Sequence, residues 1–188
     1  MELVSKAIVF ATKAHDKMRR KNSEVPYIIH PLEAAVIVST MTSNQEVIAA
    51  AVLHDVVEDA GITIEQVYEE FGEYVRFLVA SETENKRENL PSNLTWKIRK
   101  EESLEDLKNA KDVNILKVWL GDKLANIRSI YEEWKINGDK MWVHFNQKDP
   151  KEHAWYYKTI AEYTSALKEY RAWQEYNEIV KIVFGKGE

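Results

Sequence analysis

Apolar residues recur at three- and four-residue spacings along nearly the whole chain, and no convincing alternating run of strand length interrupts them. Only six glycines and four prolines punctuate 188 residues. An all-α fold follows, because a sheet would need period-two runs bounded by turn residues. The periodicity predicts helices over roughly 2–18, 31–42, 44–59, 63–80, 94–110, 113–135 and 150–183, the last with a break. Hydrophobic residues make up 45% of the chain, so one core forms without disulfide or metal staples and a single domain over 1–188 is expected.

Composition removes several function classes. The absence of cysteine excludes structural disulfides, thiolate zinc sites and cysteine nucleophiles, and suits a reducing cytoplasm. The opening "MELVSKAIVFATKAHDK" sets Glu2, Lys6 and Lys13 around a very short apolar stretch, unlike a signal peptide, and no other run approaches a membrane span. A formal charge of −5 argues against binding a nucleic-acid backbone, which needs clustered Lys and Arg. A polyanionic small ligand would have to meet a local basic cluster.

The stretch "AAVLHDVVEDAGIT" raises the sharpest question, because His54, Asp55, Glu58 and Asp59 stand in an otherwise apolar helical run. Four ionisable groups within a core would be costly unless something neutralises them. On a helical wheel they share one face, with the small Ala51 beside them, while Ala50, Leu53, Val56 and Val57 fill most of the rest. The face is either wet or holds a cation.

A second stretch narrows that choice. In "LKVWLGDKLANIRSIY" the spacing puts Asp122, Asn126 and Ser129 on one helical face, with Leu116, Leu120, Leu124, Ile127 and Tyr131 opposite. Alone this is an ordinary amphipathic helix. Combined with His30, at the start of "HPLEAAVIV", and with the His54-Asp55 doublet, it gives two imidazoles and two carboxylates, a donor set that suits a first-row divalent ion. Such an ion would lower the pKa of a water and offset charge on phosphorus. Glu58 and Asp59, one turn beyond the doublet, would orient or deprotonate that water.

His30, His54-Asp55 and Asp122 match the H…HD…D signature of the HD-domain phosphohydrolases, a helical, metal-dependent superfamily. "RRKNSEVPYIIHP", "AAVLHDVVEDAGIT" and "LGDKLANIRSI" further resemble the hydrolase domain of RelA/SpoT homologues, from about Leu3 to Tyr131 and on into "HAWYY". The resemblance implies an HD-type helical bundle that removes the 3′-pyrophosphate of ppGpp or pppGpp, leaving GDP or GTP. It implies Mn²⁺, or another first-row divalent ion, held by His30, His54, Asp55 and Asp122. The same resemblance matches Glu58 and Asp59 to the acidic pair that handles water, and Arg20 and Lys21 to a pair near the guanine and phosphates, with either Arg19 or Arg20 stacking on the base. Asn126 and Ser129 match positions at the nucleotide sugar. Two other readings stand beside it: cleavage of a different phosphorylated nucleotide such as NADPH, and a module that binds the alarmone without cutting it.

The remaining features carry bland readings. Lys123 and Arg128 read as surface residues that would add to a local positive field, His15 as a packing group, and His144 and His153 as structural or surface groups. Residues 81–112, dense in charge, read as a solvated loop and surface helix or as a mobile cover. Tyr156, Ile160, Tyr163, Leu167 and Tyr170 follow helical spacing and read as core.

Overall fold

The computed structural model describes residues 1–21, 23–87 and 89–185. Its helices are α1 (Leu3–Ala14), α2 (Ile29–Ser39), α3 (Gln45–Leu53), α4 (Val56–Asp59), α5 (Ile64–Phe71), α6 (Glu73–Ala80), α7 (Ser92–Asn109), α8 (Val113–Asn137), α9 (Pro150–Tyr163) and α10 (Arg171–Phe184). Short 3₁₀ turns cover Gly138–His144 and Ser165–Leu167. The one extended pairing among the described residues is an isolated bridge between Arg19 and Pro26. The all-α expectation therefore holds.

Side-chain caps set four of the helix starts. Asn44 caps α3 by accepting the Glu46 N–H at 2.8 Å, Asp112 caps α8 through Asn114, and Asp149 caps α9 with Pro150 at its first position. Thr63 and Gln66 form a reciprocal capping box at α5. Two predicted helices are in fact pairs. The 63–80 run is split by Gly72, whose φ of 86° ends α5 and opens α6.

The 44–59 run is split at His54-Asp55, for a different reason. Helical continuation would offer the Ala51 carbonyl to the Asp55 N–H. Instead the His54 Nδ1–H donates to that carbonyl at 2.8 Å. Asp55 then stands at the start of α4, its own carbonyl accepting the Asp59 N–H at 2.9 Å. The doublet thus occupies a corner, and a side-chain hydrogen bond overrides the periodicity.

Buried side chains from all ten helices form one contiguous hydrophobic cluster. Tyr156, Ile160 and Leu167 lie within it and Tyr163 packs against it, as their spacing suggested, while Tyr170 is exposed. Helix α8 runs through the centre, and its most extensive partner is α2. A methyl at Gly121 would meet Val38 Cγ2 at 2.6 Å and the Ala34 carbonyl oxygen at 2.9 Å, so α8 approaches α2 closely only because residue 121 has no side chain. That approach brings Asp122 to His30. Gly121→Ala should overpack the contact and cost about 1–3 kcal/mol; urea denaturation should show the loss, and an unchanged midpoint would mean that α2 and α8 are not locked at this point.

Candidate metal and nucleotide site

Four side chains from three stretches meet at one point. His30, in the first turn of α2, brings Nε2 to 3.0 Å from Asp122 Oδ1 on α8 and to 3.3 Å from His54 Nε2. Asp55 Oδ2 lies 3.2 Å from His54 Nε2 and 3.5 Å from His30 Nε2, and Asp122 Oδ1 lies 3.5 Å from His54 Nε2. His30, His54 and Asp122 are buried, and Asp55 is half-buried. The structure therefore brings together all four residues that the sequence singled out for a cation.

The donor set fits a divalent ion on its own chemistry. Because His54 donates through Nδ1 to a backbone carbonyl, neutral His54 presents a bare Nε2 lone pair to the cluster. That lone pair faces two carboxylate oxygens and a second imidazole nitrogen. Buried acceptors crowded this closely need a positive charge among them. Burial works against protonation of His54, yet the Asp55 and Asp122 carboxylates outweigh it and hold the imidazole well above its ordinary pKa. Burial likewise opposes ionisation of Asp122, and Lys123 with His54 overcomes it, keeping that carboxyl far below the usual range.

The surrounding layer supports these groups. Asp122 also accepts from Asn126 Nδ2 at 2.6 Å and from Lys123, whose ammonium sits 4.7 Å above the Trp119 ring. Lys123 is thus not a surface residue: its side chain is only 12% exposed, and it also faces Glu82 at 3.7 Å. Glu82 is buried with Oε1 unpartnered, and burial drives its pKa well up.

The acidic pair lies at the rim. Glu58 accepts the Glu84 N–H at 3.3 Å, and burial, reinforced by the Glu84 and Asp55 charges, pushes its carboxyl up to about 7. Asp59 is bonded to Lys86 and to the Tyr27 hydroxyl, the latter at 2.6 Å. Tyr27 also reaches Asp55 at 2.8 Å, and burial together with both carboxylates raises its pKa far above the phenol range. These groups enclose a wholly polar cavity of about 170 Å³, lined also by Arg20, Glu84 and Lys100.

A larger cavity of about 600 Å³ shares Arg20, Tyr27, His30, Asp59 and Asn126 with the small one. That volume is of the size, roughly 300–1,000 Å³, that takes a small organic ligand. Arg20 donates to Asn126 Oδ1 at 3.2 Å and lies over the Tyr27 ring, while Lys21 donates to Asn146 at 3.1 Å. Both line the large cavity with Ser129, Phe145 and Tyr157; Arg19 is exposed and does not. Arg128 does not line it either; Glu33 at 3.0 Å and Glu175 at 2.7 Å engage it and offset its charge.

Several contributors escaped sequence reasoning. Tyr27 stands three residues before His30 in "PYIIHP", and that proximity to a ligand candidate was its available signal. Glu82, Glu84 and Lys86 come from the charge-dense stretch beginning at residue 81, which is neither fully solvated nor all surface. Arg99 at 2.7 Å and Lys100 at 2.6 Å clasp Glu84 from α7 and hold this segment against the site. His144, read as structural or surface, lines the large cavity, whereas His153 packs among Trp96, Trp142 and Phe145, and His15 packs against Tyr27.

A helical domain with a buried His-His-Asp cluster beside a nucleotide-sized cavity defines a candidate metal-dependent hydrolase. Over residues 7–142 the chain matches the HD domain, and it belongs to that family, whose fold implies a divalent metal. It is 37% identical over 128 residues to a Synechocystis protein named probable guanosine-3′,5′-bis(diphosphate) 3′-pyrophosphohydrolase, and 35% identical over 130 residues to the Aquifex aeolicus protein named guanosine-3′,5′-bis(diphosphate) 3′-pyrophosphohydrolase. These alignments cover 68% and 69% of this chain but only 17% and 18% of the relatives. A crystal structure of a protein from Listeria monocytogenes EGD-e superposes with a TM-score of 0.73 and 30% identity, covering 84% of this chain and 99% of that one. The fold also matches a metazoan ortholog of SpoT, described as hydrolysing ppGpp, with a TM-score of 0.76 and 23% identity over 97% of this chain and 96% of the other. Among the described residues, no helix is long and apolar enough to cross a membrane.

The raised Glu58 pKa has a defined sign for stability. Its folded-state value of about 7 exceeds the ordinary 4.5, so the folded chain holds more protons between those values. Stability of the EDTA-treated protein should therefore fall as pH rises through that window, and Glu58→Gln should flatten the fall. Urea denaturation at about pH 5 and about pH 8 checks this. The same pH slope in the variant would remove Glu58 as its source.

Proposed function

We propose that the chain, acting as one catalytic domain in the cytosol, removes the 3′-pyrophosphate of ppGpp or pppGpp in a Mn²⁺-dependent reaction. The observation that carries this reading is the convergence of His30, His54, Asp55 and Asp122 at the wall of a cavity that also presents the acidic pair and the cationic Arg20, Lys100 and Lys123. The printed activity of the Synechocystis and Aquifex relatives supports the choice of substrate.

His30, His54, Asp55 and Asp122 would hold the ion. Bound there, a divalent cation supplies a lowered pKa to a water molecule and offsets negative charge on the phosphorus under attack. Glu58, titrating near neutrality, accepts the proton of the attacking water, and Asp59 orients that water. The water oxygen bonds to the phosphorus attached to the ribose 3′-oxygen as the bond between them breaks, and a proton returns to the 3′-oxygen. GDP or GTP and pyrophosphate result. Arg20, on the wall shared by both cavities, meets the phosphates or the base, with Lys21 beside it. Asn126 and Ser129, on successive turns of α8, face the sugar. A purely binding role fits less well, because the acidic pair stands intact beside the ligand cluster.

Incubation with ppGpp and Mn²⁺, followed by anion-exchange chromatography, should yield GDP and pyrophosphate. Turnover of NADPH or another nucleotide with ppGpp left intact would move the substrate assignment, and tight alarmone binding without product would replace catalysis with sensing. Asp122→Ala should lose Mn²⁺ and activity together, whereas Glu58→Gln should keep Mn²⁺ and lose about 100-fold or more in kcat. A fully active Glu58→Gln enzyme would take Glu58 out of the proton transfer.

A further inference from the structure

We infer that Tyr27 is a positioning residue for Asp59, its hydroxyl donating to that carboxylate and so fixing where Asp59 stands beside the cation site. The inference rests on the phosphohydrolase reading above and assigns Tyr27 a part in it. The hydroxyl oxygen lies 2.6 Å from Asp59 Oδ2 and 2.8 Å from Asp55 Oδ2. A phenol has one proton to give. Two carboxylates therefore compete for a single donor, and when the Asp55 charge is engaged by a cation the O–H is left to Asp59, the nearer of the two. Asp59 is then held on a hydroxyl whose oxygen stands 2.8 Å from Asp55 Oδ2.

The ring that carries this hydroxyl is unusually well fixed. His15 lies against one side with ring centroids 4.9 Å apart, and His30 meets it edge-on at 6.2 Å. The Arg20 guanidinium stands 5.6 Å from the ring centroid, and the Tyr27 N–H donates to the Met18 carbonyl at 3.0 Å. Among the described residues, both nitrogens of His15 are buried without a hydrogen-bond partner, and it meets Tyr27 by ring packing. Among the described residues, the other side chain tied to Asp59 is Lys86, on a long stem that is 31% exposed. Lys86 supplies charge from a flexible stem, whereas Tyr27 supplies direction from a clamped ring.

A double-mutant cycle separates positioning from general support. Tyr27→Phe keeps the ring and removes the hydroxyl. In the wild-type background it should lower kcat for ppGpp by roughly 100-fold, the cost of a misplaced catalytic group. KM, Mn²⁺ affinity by calorimetry and melting temperature should stay close to wild type. In an Asp59→Asn background, measured by single turnover, the same change should alter the rate less than about twofold, because Tyr27 acts through Asp59. An equal loss in both backgrounds, or a loss that follows Mn²⁺ affinity, overturns the inference.

A second readout needs no turnover. In a crystal structure of Tyr27→Phe with Mn²⁺ the Asp59 carboxylate should have turned away from Asp55, and an unmoved carboxylate also overturns the inference. Failure of the wild-type protein to cleave ppGpp would instead sink the substrate assignment, with this crystallographic comparison still deciding the role of Tyr27.

Discussion

Everything in this molecule turns on a concentration of lone pairs that cannot stand without a positive charge. Each of the two imidazole Nε2 atoms lies between 3.0 and 3.5 Å from the other and from an oxygen of Asp55 and of Asp122, mostly out of contact with water. In a low-dielectric interior such a cluster is destabilising unless a cation or a proton sits within it. Lys123 meets part of that demand, since it is bonded to Asp122 and faces Glu82. Among the described residues its ammonium is paired with these carboxylates rather than with the imidazoles, so the centre still calls for charge. The fold accordingly keeps a concentrated electrostatic arrangement that a proton or a bound cation relieves, as functional sites commonly do.

The helices serve that arrangement. Close packing of α2 on α8 at Gly121 sets His30 against Asp122. The corner between α3 and α4 aims His54 and Asp55 at the same point while passing Glu58 and Asp59 to the rim. Helix α7 works at one remove: Arg99 and Lys100 grip Glu84, and the segment so held delivers Glu82 and Glu84 to the polar cavity and Lys86 to Asp59. Acidic groups outnumber basic ones around that cavity, and a polyphosphate could enter only where a cation, Arg20, Lys100 and Lys123 offset them. This explains how a chain with a net charge of −5 presents a site for an anion.

Sequence patterning exposed the groups whose placement is local. His54 and Asp55 are adjacent, Asp122 and Asn126 share a helical face, and His30 sits at a helix start, so periodicity alone put each near its observed element. It missed what depends on contacts across the chain. The corner at His54 arises from a bond between an imidazole and the Ala51 carbonyl, which no hydrophobic pattern encodes. Lys123 reads as a surface lysine because burial of an ammonium becomes intelligible only once Asp122, Glu82 and the Trp119 ring surround it. Tyr27, Glu82 and Lys86 acquire their parts from residues 27 to 41 positions away, beyond the reach of local spacing.

The most direct test of the central claim is where a metal binds. Crystals grown with Mn²⁺ and measured near the manganese absorption edge should show one dominant anomalous peak, in contact with His30, His54, Asp55 and Asp122 together. A site lacking that peak at saturating Mn²⁺, or one in which the ion contacts the Glu58-Asp59 rim and leaves both imidazoles free, would contradict the account.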